Sequence, residues 1–201
     1  ICAASAEKRS VHIKIDTGMH RLGLRVEELE DFLKFLEEEC PLIEVVGLMT
    51  HLAAADMEEE DRFTLQQLER FDRAIAITRE RGLQIRHIHA ANTAGAWRFA
   101  LPDHTMVRIG LGLYGLDPSP DVTRAHEPLQ PALELSTRVI SLHRVEAGET
   151  IGYARSYRAS RALSIATIAI GYNDGFARAM SNGGEVLIRG RRCEVVGRVC
   201  M

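Results

Sequence analysis

Apolar and polar residues alternate along VHIKID, residues 11–16. Val11, Ile13 and Ile15 share one face of a predicted strand, and His12, Lys14 and Asp16 share the other, because strand side chains alternate at a period of two. The run breaks at Thr17-Gly18 and returns a cation, Arg21. Three further stretches predict strands: EVVGLMT (44–50), RHIHA (86–90) and MVRIGL (106–111). Between them the period changes. Leu29, Phe32, Leu33 and Leu36 follow the i, i+3, i+4, i+7 rule of a helix, and Leu65, Leu68, Phe71 and Ile75 nearly do, behind the charged opening MEEEDR. The acidic run Glu58–Asp61 suits a solvated helix start favoured by the helix dipole and does not suggest a metal site. Strands separated by helices predict parallel βα units.

The pattern changes around DPSPDVTRAHEPLQP, a proline-rich, weakly apolar stretch that reads as a connection. Beyond it lie strand-like runs with turn signals: ALELSTRVISLHRV, IGYARSY, LSIATIAIGY, and a tail, EVLIRGRRCEVVGRVCM, that predicts a hairpin turning at Arg189 to Arg191. The sequence thus divides into an α/β part, residues 1–120, and a mainly β part, residues 121–201, with the boundary between 116 and 132.

Composition narrows the function classes. Of 201 residues, 46% are apolar and 26% charged, and the formal net charge is −3, which suits a soluble globular protein and gives no reason to expect nucleic acid or an anionic membrane as partner. No apolar run approaches the ~20 residues of a membrane span. Cys2, Cys40, Cys193 and Cys200 lack zinc-ligand spacing, and buried thiols in a reducing compartment are expected in preference to disulfides. The chain begins at Ile1 and stops at RVCM, apparently within a strand, so a fragment is expected.

In parallel βα architectures the chemistry lies at the C-terminal strand ends. The four predicted ends are Lys14-Ile15-Asp16-Thr17-Gly18, Met49-Thr50-His51-Leu52, His87-Ile88-His89-Ala90-Ala91-Asn92-Thr93 and Arg108-Ile109-Gly110-Leu111-Gly112, and each carries a Lys, His or Arg. A lone strand histidine is ordinarily a hydrogen-bonded core residue. A lysine aimed into a barrel requires an anion or a neutralising change, because an unpaired buried charge costs several kcal/mol. Asn92-Thr93-Ala94-Gly95 precedes a predicted short helix, AWRFAL, which Thr93 would cap beside free backbone N–H groups. Gly110 and Gly112 would let backbone approach a ligand.

HIKIDTGMHRLG, GLMTHLAAAD, IHAANTAG, VRIGLGLYGL, IGYARSY, IAIGYNDGFAR and VGRVCM, in this order from Val11 to Met201, together resemble the alanine racemase family of fold-type III pyridoxal-phosphate enzymes. The resemblance implies the C-terminal half of a TIM-type (β/α)8 barrel followed by part of a mainly β domain. It implies racemisation of L- and D-alanine, for peptidoglycan precursors, through a pyridoxal 5'-phosphate aldimine and two bases, in a cytoplasmic homodimer. Arg108 would face the pyridine nitrogen; Thr93, with N–H groups of Gly110 and Leu111, the phosphate; and His51 the ring. His89 would support Arg108. Arg21 would meet the phenolic oxygen and the substrate carboxylate, and Lys14, if carbamylated, would orient Arg21. Tyr153 would be an acid/base acting in the partner subunit, Tyr172 would line the substrate entrance, and backbone at Met201 would meet the carboxylate. Tyr114 is expected to pack in the core.

The departures also matter. The family's Schiff-base lysine lies on the first barrel strand, and neither Lys8, Lys34 nor Lys14 matches it. An acidic residue after VCM and a C-terminal tyrosine at the phosphate are also unmatched, so this chain by itself is not expected to turn over. Half a barrel would leave sheet edges open to pairing. Other readings are a racemase for serine or another amino acid, and a non-catalytic pyridoxal-phosphate-binding barrel, against which residues 133–201 count. The triplet Asp16-Thr17-Gly18 is also an aspartic-protease hallmark, but that class needs two such aspartates and the sequence has one DTG.

Overall fold

The computed structural model describes residues 7–201, so Cys2 lies outside the described residues. The chain divides into two compact units, Ile1–Leu133 and Glu134–Met201.

The first unit runs β1 (Arg9–Lys14), α1 (Leu29–Glu39), β2 (Ile43–Met49), α2 (Asp61–Glu80), β3 (His87–His89), α3 (Thr93–Arg98) and α4 (Pro120–Thr123). The three strands form one parallel sheet in sequential order, which is the arrangement that helical crossovers produce. Ile13, Ile15 and Leu48 from the sheet meet Leu29 and Leu33 of α1 and Leu68, Phe71, Ala74 and Ile75 of α2 in one core. The buried stripe of α2 is Thr64, Gln67, Leu68, Phe71, Ala74, Ile75 and Thr78. Leu65, expected on that stripe, is 52% exposed, because the helical period places Thr64 and Gln67 inward instead. Arg98 donates to the Ala55 carbonyl at 2.7 Å and to both Asp61 carboxylate oxygens at 2.8 and 3.0 Å, tying α3 to the start of α2.

Three local expectations change. Residues 106–111 are not a strand. Thr105 donates to the Ile88 carbonyl and Arg108 to the Ala91 carbonyl, and two such bonds track β3 without completing a ladder. Tyr114 closes a 3-10 turn, Leu111–Tyr114, and is 55% exposed rather than in the core. The cysteine expectation fails for Cys200, which is exposed, while Cys40 and Cys193 are half-buried; all three are free thiols. Cys40 follows the end of α1, and Cys193 pairs with Val186 on the half-buried side of the β8–β9 hairpin.

The second unit has no helix longer than a 3-10 turn among the described residues. β4 (Val139–Val145) pairs antiparallel with β7 (Leu163–Ile168), β5 (Thr150–Ile151) with β6 (Tyr157–Arg158), and β8 (Glu185–Ile188) with β9 (Arg191–Glu194). The last pair turns at Arg189-Gly190, φ 50° and 77°, the left-handed pair that a two-residue hairpin loop requires. IGYARSY is not one strand: β5 and β6 flank a 3-10 turn at Tyr153–Arg155. VGRVCM also lies outside any strand, its backbone bonding instead to the Tyr172 turn. No helix of the described residues is long and apolar enough to cross a membrane.

Phe71 is fully buried in the first unit's core. Phe71→Ala is expected to cost about 3–5 kcal/mol, read as a lower urea midpoint of that unit.

Candidate active site

The polar face of β1 continues into a loop that closes on its own strand. Asp16 N–H donates to the Leu24 carbonyl at 2.7 Å and Leu24 N–H to the Lys14 carbonyl at 2.9 Å. Gly23 makes this return possible, since a Cβ there would lie 2.9 Å from both Asp16 N and the Lys14 carbonyl oxygen. Within the loop Asp16 Oδ1 accepts the N–H groups of Gly18 and His20, each at 3.0 Å. Burial raises the Asp16 carboxyl, but these donors outweigh it and hold the group below its ordinary value. Asp16 is therefore committed to shaping the loop, which is not the role of a paired protease aspartate.

The loop carries Arg21 into the electrostatic range of Lys14 and His51. Lys14 is depressed from its ordinary value by burial first, then by Arg21, with Arg108 adding to the effect and Asp16 opposing it. His51 is depressed by burial, Arg108, Arg21 and Lys14, in that order. Among the described residues neither Lys14 nor Arg21 has a carboxylate in ion-pair contact.

Arg108 stands at the centre. Its Nη1 bonds His89 Nδ1 at 2.6 Å and the His89 carbonyl at 3.3 Å; its Nη2 reaches the Thr50 carbonyl at 2.8 Å, the Ala90 carbonyl at 3.0 Å and His51 Nδ1 at 3.1 Å. Every partner is a neutral acceptor. Burial lowers the guanidinium from its ordinary value, yet arginine stays protonated at neutral pH. The Nε–H is left as the guanidinium donor with no acceptor among the described residues.

A buried polar network that sequence reasoning missed holds these strand ends in place. Thr17 and Thr50 hydroxyls meet at 2.7 Å and Thr50 Oγ1 donates to the Ile15 carbonyl. Gln67, on α2 and fully buried, donates to Thr17 Oγ1 and the His51 carbonyl, both at 3.1 Å, and accepts Ala53 N–H at 2.9 Å. Arg70 donates to the Thr17 carbonyl at 2.7 Å. The available signal was the pair Gln67 and Thr64 at core positions of the α2 stripe.

The cap of α3 is Asn92, whose side chain accepts Gly95 N–H at 2.9 Å, and not Thr93. Asparagine precedes the first helical residue and has the extended backbone a cap needs. Thr93 Oγ1 instead accepts Gly110 N–H at 3.0 Å and Gly112 N–H at 3.5 Å, which leaves its hydroxyl proton to donate elsewhere. Leu111 begins a 3-10 turn, so its N–H has no partner within that turn.

The first unit thus gathers Lys14, Arg21, His51, His89 and Arg108 at its strand ends, with Thr93, Gly110 and Leu111 on the adjoining β3–α3 and post-Arg108 segments. In the second unit Tyr153 is 72% exposed, and the two residues after it, Ala154 and Arg155, both adopt left-handed φ values of 58° and 51°, a costly conformation that keeps the tyrosine on a sharp turn. Tyr172 N–H donates to the Cys200 carbonyl at 2.9 Å and Asn173 N–H to the Met201 carbonyl at 3.2 Å, which places the Tyr172 turn against the Met201 backbone. The Arg178 guanidinium lies 5.9 Å from the Tyr172 ring centroid.

A parallel βα sheet with cations gathered at its strand ends, joined to a β unit, defines an α/β protein whose candidate site lies at those strand ends. Two family models divide the chain in the same sense: that described as alanine racemase, N-terminal domain, matches residues 1–118, and that described as alanine racemase, C-terminal domain, matches residues 132–201. The chain belongs to the alanine racemase family. It is 42% identical to the alanine racemase of Carboxydothermus hydrogenoformans, covering 94% of this chain and 51% of that protein, and 42% identical to that of Geobacter sulfurreducens, covering 95% and 50%. Among solved structures, alanine racemase from Bacillus anthracis with bound L-Ala-P superposes with a TM-score of 0.87 at 40% identity, covering 96% of this chain and 50% of that one. The E. faecalis enzyme gives 0.84 at 37%, covering 98% and 52%. The chain spans about half the length of the curated relatives it matches.

Gln67→Leu would leave Ala53 N–H and the Thr17 hydroxyl short of partners and is expected to cost about 1–3 kcal/mol per buried group left unpaired, measured by urea unfolding. His89 is lowered from 6.5 to about 4, by burial first and then by Arg108 and the neighbouring histidines. The unfolded chain therefore binds this proton first as pH falls. The stability it represents is complete above 6.5 and is lost on descending to about 4. Urea midpoints across that window are expected to fall with pH, and to fall less steeply in His89→Asn.

Proposed function

We propose that the chain is the cofactor- and substrate-binding part of a pyridoxal 5'-phosphate-dependent alanine racemase. In this reading residues 1–120 form the C-terminal half of a TIM-type (β/α)8 barrel and residues 121–201 the first part of the β domain. The observation that carries it is the convergence of Lys14, Arg21 and Arg108 at the strand ends, with no carboxylate in ion-pair contact with Lys14 or Arg21 among the described residues. Such a cluster calls for an anionic ligand. A phosphorylated cofactor together with an amino-acid carboxylate supplies it.

Pyridoxal phosphate fits this donor set. Bound there, it supplies an electron sink that acidifies the α-hydrogen of an amino acid. Arg108 offers its unspent Nε–H to the ring nitrogen and keeps its own proton, leaving that nitrogen unprotonated and restraining side reactions. Thr93 donates its hydroxyl proton to the phosphate, Gly110 fixes that hydroxyl through its N–H, and Leu111 N–H adds a donor. His51, its protonation disfavoured by burial first and then by its cationic neighbours, packs beside the ring. Arg21 takes the phenolic oxygen and the substrate carboxylate. Lys14, whose neutral amine is favoured by burial and two arginines, adds CO₂ with loss of a proton; the resulting carbamate orients Arg21.

Racemisation removes the α-proton on one face and returns it on the other, so it needs two groups. Tyr153 is one of them and acts in the partner subunit of a cytoplasmic homodimer; its display on a strained, exposed turn supports that role. Tyr172 lines the substrate entrance beside the Met201 backbone, which meets the carboxylate. Alanine is the favoured substrate over serine. A non-catalytic cofactor carrier is disfavoured by the match of residues 132–201 to the C-terminal domain of the family. Neither Lys8, Lys34 nor Lys14 matches the family's Schiff-base lysine.

Spectroscopic titration of the 201-residue chain is expected to show pyridoxal phosphate binding, weakened about tenfold or more, or by about 1.4 kcal/mol, in Arg108→Leu and in Thr93→Val. Borohydride treatment is expected to leave no pyridoxyl adduct on Lys14 by peptide mass spectrometry, and L-alanine to give no D-alanine. Unchanged affinity in both variants overturns the site. Robust D-alanine formation overturns the assignment of the Schiff-base lysine outside these residues.

A further inference from the structure

The proposed role of Arg108 accounts for His89 and leaves two further histidines of the sheet unexplained. His12 on β1 and His87 on β3 lie beside His89, and none of the three is a metal cluster. His12 Nδ1 is 2.9 Å from His89 Nε2, the rings meet edge-on at 5.1 Å, and His87 stacks on His12 at 5.4 Å.

Two features of the backbone are built around His12. The β1–β2 register slips at this point, Val11 pairing with Val45 but His12 with Gly47, so β2 carries one extra residue, Val46, and Gly47 comes opposite His12. Gly47 then provides the space. A Cβ there would lie within 2.6 Å of three atoms of the His12 ring. A bulge and a glycine at one register position, both serving one imidazole, mark a fixed place and not a loose surface ring.

The direction of the hydrogen bonds follows from valence. Arginine has donors and no acceptor, so His89 Nδ1, 2.6 Å from Arg108 Nη1, must accept. A neutral imidazole has one acceptor nitrogen, so the His89 proton sits on Nε2. Nε2–H therefore donates to His12, whose Nδ1 must be unprotonated. Were His12 an imidazolium, its Nδ1–H would face the Nε2–H of His89, and one of the two bonds would be lost. At His89 itself burial, then Arg108 and the neighbouring His12, His87 and His104, disfavour a charge.

We propose that His12, held over Gly47, is a positioning residue for Arg108: it accepts Nε2–H of His89 and so, together with the Arg108 donor, selects the single tautomer in which His89 Nδ1 receives the guanidinium. The bond chain runs from His12 on β1, across the sheet to β3, and out to the strand-end cation. This deepens the reading of Arg108 as the cofactor-facing cation, but the tautomer belongs to the ligand-free chain and can be tested apart from that reading.

The test is long-range proton–nitrogen NMR of the histidine rings in the 201-residue chain at neutral pH, without cofactor, with His89 and His12 assigned by His→Gln variants at the other positions. A single neutral His89 tautomer protonated at Nε2 is expected, with His12 Nδ1 unprotonated. In His12→Leu and Gly47→Ala, His89 is expected to change from one tautomer to a mixture of both, and His12→Asn, whose amide oxygen replaces Nδ1 as acceptor, is expected to restore one. His89 protonated at Nδ1 or as an imidazolium in the unmodified chain overturns the proposal outright, whatever the variants do. A single Nε2–H tautomer persisting in folded His12→Leu overturns the part assigned to His12. Loss of cofactor binding with the tautomers as expected would instead count against the cofactor reading.

Discussion

A guanidinium can only donate, and that asymmetry organises the first unit. Arg108 sits half-buried where the ends of β2 and β3 meet, and its partners are the Thr50, His89 and Ala90 carbonyls and two imidazole nitrogens. Placing a permanent cation there costs desolvation, which the strand-end carbonyls of Thr50, His89 and Ala90 offset by accepting from it, the His89 carbonyl while also accepting Thr50 N–H. The requirement spreads outward. His51 and His89 must be neutral and oriented, and the segments bearing them must hold still.

Stillness comes from neutral polar groups. Thr17, Thr50 and Gln67 are almost wholly buried, and each is bonded on more than one side. They join β1, β2 and α2 without adding charge near Arg108. A carboxylate in the same place would have quenched the cation cluster. The fold thus separates two tasks: uncharged side chains fix geometry, and the charges are left facing the open strand ends.

Much of this was legible in the sequence, for physical reasons that also explain the failures. The period-two run at Val11–Asp16 and the apolar positions of α1 gave the right elements, since burial on one face dominates both patterns. Lys14, His51, His89 and Arg108 stood out because charged or titratable groups inside apolar strands are costly. Gln67 did not, because an uncharged amide on a helix carries no such signal until its three partners, distant in sequence, are seen. Thr93 was read as the cap when the cap is Asn92 one residue earlier, both being competent acceptors for the same turn. Residues 106–111 look like a strand because they are apolar, but apolarity does not supply a ladder partner. The β-bulge before His12 has no sequence signature beyond Gly47.

Folding the first unit brings Lys14, Arg21 and Arg108 together against their mutual repulsion. The work of assembling them is part of what the core must supply, and an anion settling among them returns it. An anion bound there would therefore stabilise the folded unit as well as occupy it. The polypeptide by itself provides only the positive half of the charge at the rim of the sheet, and the proposed ligand would provide the negative half. Under the proposed reading the rigidity of the rim would then follow the concentration of the anion around it.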